Sequence, residues 1–286
     1  MSGLINHLEI DANDLTFTAR ASGPEDGRRV LLLHGFPQTS WAWRGQLGAL
    51  ADAGFRAVAP DQRGYCAGAR PTAMTDYALE HLLADAMAIA DALEMDTFDL
   101  VGHDWGGLVS WLVATRYPDR VRSLTVVSTP HPLALQHALL GGDPQQAARA
   151  KSTDAFRTPD VPEKLLLGAD GSGAGLASLL AESGLHEAAT QAYIAVLAQP
   201  GAMTAALNWY RSMGRNELFD LTPVTVPTLY VWSTGDAAFG RMAAEATADC
   251  VTGPYTFEVL DDVPHWIPEM APVDLSKLII DHLSTT

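Results

Sequence analysis

The chain has 286 residues, 48% of them hydrophobic, enough for one large domain or one domain carrying an insertion. Its 18 Lys and Arg against 34 Asp and Glu give a formal net charge of −16, which repels nucleic acid and anionic membranes and excludes both as partners. Its two cysteines, Cys66 and Cys250, lack paired spacing, so a disulfide framework or zinc site is not expected, nor is any other metal or cofactor.

Taken from the N-terminus, MSGLINHLEIDANDL is too acidic and too broken to read as a signal peptide. Short strands are expected at Leu8–Ile10 and Leu15–Ala21, around the turn residues Asp11–Asp14. The apolar run Val30–Leu33 is continuous, which predicts a strand covered on both faces and ending at a glycine. A helix is predicted over Ser40–Ala51, a strand over Phe55–Ala59, a loop at PDQRGYCAGARP and a helix over Tyr77–Leu93. Then come a strand at Asp99–Val101, a turn at Asp104, a helix over Gly107–Tyr117 and a strand over Val121–Ser128. This alternation implies a parallel sheet wound on both faces. From Pro130 to about Thr222 the rhythm breaks into helical pieces and a glycine-rich joint at Gly168–Gly175. Strands resume at VPTLYVWS and Tyr255–Leu260, and a last helix runs Val273–Leu283. The expected organisation is an α/β core, residues 1–129 and 223–286, with a helical cap, residues 130–222, inserted into it. No stretch approaches the roughly 20 apolar residues of a membrane span. The expectation is a soluble cytoplasmic protein, monomer or homodimer.

Three residues stand at or just beyond the ends of predicted strands: Asp104, Asp236 and His265. Strands of an open parallel sheet share one carboxyl edge, where ligands bind, so all three can converge there. Asp104 lies at the centre of Gly-x-Asp-x-Gly, a place where many hydrolases carry serine. The chain order nucleophile, acid, histidine is that of the α/β-hydrolases. The segments HGFP (His34–Pro37), GHDWGG (Gly102–Gly107), WSTGD (Trp232–Asp236) and PHWIP (Pro264–Pro268) resemble that superfamily, and its epoxide hydrolase branch in particular. LNWYR (Leu207–Arg211) resembles the cap segment that supplies that branch's ring-opening tyrosine. The resemblance runs in order from about Val30 to the C-terminus.

The chemistry of an aspartate at this place can be argued separately. A carboxylate is already ionised at neutral pH. Attack on an ester or amide would give an anhydride and gain little, whereas attack on a saturated carbon bearing a leaving group gives a stable ester. Epoxides and alkyl halides are such substrates. His265, held by Asp236, would then deprotonate the water that hydrolyses the ester, and the backbone N–H groups of Phe36 and Trp105 are placed to hold the negative oxygen that develops. Pro37, Trp105 and Trp209 are expected to line the pocket. The resemblance implies that Tyr210 protonates the epoxide oxygen, the substrates being water and a small hydrophobic epoxide. It also implies a second tyrosine earlier in the cap, but Pro130–Ala192 contains none. Ser152, Thr153 and Asp154 stand near its expected place, with Tyr193 and the Trp209 indole as stand-ins. Competing readings are Asp104 as a plain helix cap, Asp261 or Asp262 as the acid, a haloalkane-type dehalogenase with the same triad, and a receptor that has lost turnover.

Overall fold

The computed structural model describes residues 4–213 and 221–286. Its strands are β1 (Asn6–Ala12), β2 (Leu15–Ser22), β3 (Arg28–Leu33), β4 (Phe55–Pro60), β5 (Phe98–His103), β6 (Val121–Val127), β7 (Thr228–Ser233) and β8 (Tyr255–Leu260). They form one sheet in the order β1-β2-β4-β3-β5-β6-β7-β8. The β1–β2 and β2–β4 pairs are antiparallel and the rest parallel. The β1–β2 hairpin turns on Asn13 and Asp14, both with positive φ (51° and 59°). That is the left-handed pair a two-residue turn needs to match strand twist, and Asn and Asp tolerate it better than other side chains.

Three helices follow the first strands: α1 (Arg44–Asp52), α2 (Leu79–Ala92) and α3 (Trp105–Arg116). Between β6 and β7 lie α4 (Pro132–Leu140), α5 (Pro144–Asp154), α6 (Val161–Leu167), α7 (Ala174–Glu182), α8 (Glu187–Leu197) and α9 (Ala202–Ser212), with no strand among the described residues there. The chain closes with α10 (Arg241–Ala246), α11 (Ile267–Met270) and α12 (Pro272–Leu283). Alternate residues of β3 explain the layering. Val30 and Leu32 pack with Leu47, Leu50, Leu275 and Ile279 of α1 and α12, while Leu31 and Leu33 belong to the opposite core with Leu82, Leu83 and Val109 of α2 and α3.

The predicted helix bounds shift for local reasons. The segment Ser40–Trp43 is a 3-10 turn capped by the Thr39 side chain, and α1 begins only after it. A similar turn, Met74–Tyr77, precedes α2, and extended Ala78 separates the two. The short helices α10 and α11 escape sequence periodicity because each is four to six residues long. Helix α3 starts at Trp105 rather than Gly107, so Asp104 sits at its N-terminal boundary.

The position of the site follows from the strand order. From β3 the chain steps to β4 on one side, and β5 lies on the other. The loops leaving β3 and β5 therefore part to opposite faces and open a crevice between them. Helix α3 packs unusually close to β3: a Cβ on Gly106 would lie 2.1 Å from the Leu33 carbonyl oxygen. Backbone cannot yield there, so Gly106→Ala is expected to cost at least about 2 kcal/mol. Gly48, inside α1 with nothing within 4 Å of its Cβ position, is the control: Gly48→Ala is expected to gain about 0.5–1 kcal/mol from helix propensity. Urea denaturation of both variants checks the opposite signs.

Candidate active site

Asp104 ends the β5–α3 turn with φ 53° and ψ −119°, a strained conformation for any residue but glycine. Two close contacts hold it. The Cβ position on Gly35 would overlap the Asp104 side chain at 2.3 Å, so only glycine lets the loops approach. The Thr129 hydroxyl donates to the Asp104 carbonyl at 2.8 Å. The Asp104 side chain makes no capping bond to α3, so the helix-cap reading is set aside. Its Oδ1 instead accepts the Phe36 N–H at 2.8 Å, and its Oδ2 lies 3.6 Å from His265 Nε2.

His265 is nine-tenths buried. Its Nδ1 lies 3.0 and 3.2 Å from the two oxygens of Asp236. Asp236 Oδ1 also accepts the backbone N–H groups of Ala238 (2.7 Å) and Phe239 (3.0 Å), a local turn that fixes the carboxylate. Asp261 and Asp262 are exposed, and Asp262 takes positive φ in the turn after β8, so His265 pairs with Asp236 and not with either of them.

Burial alone would lower the His265 pKa. The charge of Asp236, the hydrogen bonds to Asp104 and Asp236 and the charge of Asp104 overcome it and push the imidazole up to about 10. Burial alone would likewise raise Asp104, but its hydrogen bond to His265, the charges of His265 and His103 and the Phe36 N–H hold it below the usual carboxylate range. Asp236 is held low in the same manner, burial being outweighed first by the His265 charge. The resting site is thus an imidazolium between two carboxylates.

These groups open on a cavity of about 360 Å³, lined from the sheet side by Phe36, Pro37, Asp104, Trp105 and His265 and from the helical side by Phe156 and Tyr210 among others. Tyr210, on α9, stands edge-on to Trp105 (4.9 Å between ring centres) and Phe36 (5.5 Å), with Phe156 at 5.2 Å. Burial, then the Asp104 charge, raises its pKa well above that of a free phenol, against the opposing contact with Trp105 and the charge of Arg157. Arg157 also donates to the Tyr210 carbonyl at 2.5 Å and so anchors the end of α9.

Two expectations are corrected. Trp209 does not line the cavity: its indole N–H donates to the Arg63 carbonyl at 2.9 Å, and its ring stands edge-on to Trp105 at 5.6 Å. Adjacent helical residues point about 100° apart, so a helix that aims Tyr210 at Asp104 turns Trp209 away. Tyr193 is also no stand-in. It is fully buried outside the cavity and its hydroxyl donates to Glu269. Where the second tyrosine was sought, Thr153 lines the cavity, its hydroxyl donating to the Ala150 carbonyl at 2.8 Å.

Sequence reasoning missed Gln38 and Glu269, which meet behind the site at 2.8 Å. A carboxyl in the otherwise apolar stretch WIPEMAP was the available signal.

A family model described as the alpha/beta hydrolase fold matches residues 28–272. The chain is 32% identical over 280 residues to the AB hydrolase superfamily protein YfhM of Bacillus subtilis, covering 96% of each. It is 31% identical over 290 residues to epoxide hydrolase 3 of Xenopus tropicalis, covering 98% of this chain and 78% of that one. Among solved structures, epoxide hydrolase A from Mycobacterium thermoresistibile superposes with a TM-score of 0.84 at 27% identity, covering 98% of both chains. Among the described residues, no helix is long and apolar enough to cross a membrane.

The electrostatics carry a prediction. Asp104→Asn removes one of the two carboxylates that hold the proton on His265, so the imidazole pKa is expected to fall below that of the parent. An NMR titration of the His265 ring in the two proteins checks this; an unchanged value would mean that Asp104 and His265 are not coupled.

Proposed function

Because this chain belongs to the α/β-hydrolase family and is a hydrolase, we propose that it adds water to a hydrophobic epoxide through a covalent ester on Asp104. One observation carries the reading: a half-buried, ionised carboxylate and a protonated phenol line the same cavity from opposite sides, the sheet and α9. Relatives named epoxide hydrolase at about this identity support it. On this reading the helical segment 130–222 is a cap over the core formed by residues 1–129 and 223–286, as the sequence suggests; residues 214–220 of it lie outside the described residues.

Asp104 Oδ2 attacks an epoxide carbon, the C–O bond to the ring oxygen breaks, and that oxygen takes the proton of Tyr210. Asp104 Oδ1, already bonded to the Phe36 N–H, becomes the ester carbonyl oxygen. Ester formation removes the Asp104 charge, and with it part of what held the proton on His265. The imidazole then passes its proton through solvent to the Tyr210 phenolate and can take one from water. The resulting hydroxide attacks the ester carbonyl carbon. Phe36 and Trp105 N–H groups hold the oxyanion, each worth roughly 2.7–4 kcal/mol of barrier. Collapse breaks the ester C–O bond and the departing diol oxygen takes the proton from His265. The carboxylic acid left on Asp104 then gives its proton to the imidazole, which restores the resting ion pair.

A dehalogenase would need N–H donors for a departing halide. The Trp209 indole is committed to Arg63, that of Trp266, which also lines the cavity, donates to Ser183 Oγ at 2.8 Å, and that of Trp105 meets the Tyr210 phenol. That observation favours the epoxide.

His265→Gln, incubated with styrene oxide, is expected to accumulate an adduct on Asp104 equal in mass to the epoxide, while wild type clears it; peptide mass spectrometry reads both. Unmodified Asp104 in both proteins would sink the ester mechanism and leave the receptor reading standing. Tyr210→Phe is expected to lower kcat by about 10²–10⁴-fold, the usual size of a general-acid contribution, in a stopped-flow assay of adduct formation.

A further inference from the structure

Behind the site a second buried carboxyl stands outside the mechanism above. Glu269, on α11, is 4% exposed. Its Oε1 accepts from Gln38 Nε2 at 2.8 Å and from the Tyr193 hydroxyl of α8. Its Oε2 is fully buried and has no hydrogen-bond partner in the structure. The other end of the Gln38 amide does two things. Oε1 accepts the Gly35 N–H at 3.1 Å and lies 2.7 Å from His103 Nδ1. His103 Nε2 in turn lies 2.9 Å from the backbone carbonyl of His265. A neutral imidazole has one N–H, and with the Gln38 oxygen turned toward it that N–H sits on Nδ1, so the amide is tied to His103 and to the Gly35 N–H of the loop that presents Phe36.

We propose that Glu269 is a positioning residue for this reaction: its ionised carboxylate fixes the orientation of the Gln38 amide, and through it the oxyanion loop. The proposal rests on the epoxide-hydrolase reading. An ionised carboxylate only accepts hydrogen bonds, so Gln38 must turn its NH₂ group toward Glu269 and its oxygen toward Gly35 and His103. A protonated carboxyl can also donate, and the amide is then free to invert. An inverted amide sets NH₂ against the Gly35 N–H, donor against donor, one residue from Phe36. The hold on the oxyanion loop is lost.

The surroundings place this change near neutrality. Burial raises the Glu269 pKa to about 7, against the opposing hydrogen bonds from Tyr193 and Gln38 and the charge of Arg44. The titratable and charged groups around it are Tyr193 on α8, Arg44 at the start of α1, whose guanidinium also stacks over Trp41 at 3.5 Å, and Arg20 of β2, which acts on Tyr193. His103, pushed down to about 3 by burial and by the His265 charge, is neutral at working pH and adds no competing charge. The sign follows: the productive amide orientation is present above the Glu269 pKa and lost as pH falls through it.

The test compares wild type, Glu269→Gln and Tyr193→Phe with styrene oxide. His265 titrates in wild type and in Glu269→Gln alike, so its own effect cancels in the ratio of their kcat values. That ratio is expected to be about ten at about pH 8.5, the cost of a small misplacement of catalytic groups, and to close toward one at about pH 5.5, with KM little changed. Infrared difference spectra should show a protonated-carboxyl band that disappears near pH 7 in wild type, is absent from Glu269→Gln, and moves to higher pH in Tyr193→Phe, which loses a donor to the anion. A ratio that does not vary with pH, or a band that Tyr193→Phe leaves in place, overturns the proposal. Failure of the parent reading looks different: the His265→Gln protein then forms no adduct on Asp104, and the proposal falls with it. An adduct that forms beside a flat ratio removes Glu269 alone.

Discussion

An ionised carboxylate on the wall of an apolar cavity is the constraint from which this site is built. Desolvating a charge is costly unless hydrogen bonds and an opposite charge replace water. Asp236 is buried and Asp104 half-buried beside the same imidazolium, and they are compensated unequally. Asp236 accepts two backbone N–H groups and the near side of His265 at 3.0 Å. Asp104 has one backbone donor at 2.8 Å, and its second oxygen lies 3.6 Å from His265. On the proposed mechanism the better satisfied carboxylate orients His265, the less satisfied one keeps an oxygen that can form a bond, and their neighbours give two identical side chains two roles.

The fold supplies that inequality through backbone approach. Asp104 can face Phe36 only because Gly35 has no side chain to collide with it, and α3 can begin so near the sheet only because Gly102 and Gly106 leave room. A Cβ on Gly102 would lie 2.3 Å from the Gly106 carbonyl oxygen. The turn thus trades side-chain volume for proximity and places a residue with positive φ where the sheet order opens its crevice. The helical segment between β6 and β7 adds the opposite wall. Its aromatic contacts to Trp105 and Phe36 seat the Tyr210 phenol against the same loops that hold Asp104.

Much of this was legible in the sequence, for identifiable reasons. Buried parallel strands leave continuous apolar runs such as Val30–Leu33, and glycines mark the places where backbones meet. Asp104 and Asp236 stood out because each lies just beyond such a run, and His265 because it follows the last strand, Tyr255–Leu260. What sequence could not supply was direction around a helix. Trp209 and Tyr210 are neighbours of similar character, and only the docking of α9 on the Gly64 loop decides which one sees the cavity; a Cβ on Gly64 would lie 3.1 Å from Ala205 of that helix. Gln38 and Glu269 were hidden for another reason. Their meeting joins residues 231 positions apart, and no local pattern encodes it.

The proposed chemistry gains from having these charges so close. While Asp104 is ionised, its charge helps keep the proton on Tyr210 and on His265. That is the correct state for the opening step, in which the phenol must still own its proton. As the new C–O bond forms, negative charge leaves the carboxylate and grows on the epoxide oxygen. The field that held the phenol proton weakens as the acceptor for it strengthens. The same event releases the imidazole to act as a base, which the second step requires. In the low-dielectric interior such couplings are larger than they would be in water. The ester bond therefore changes both groups in the order the reaction uses them, without any motion of the backbone.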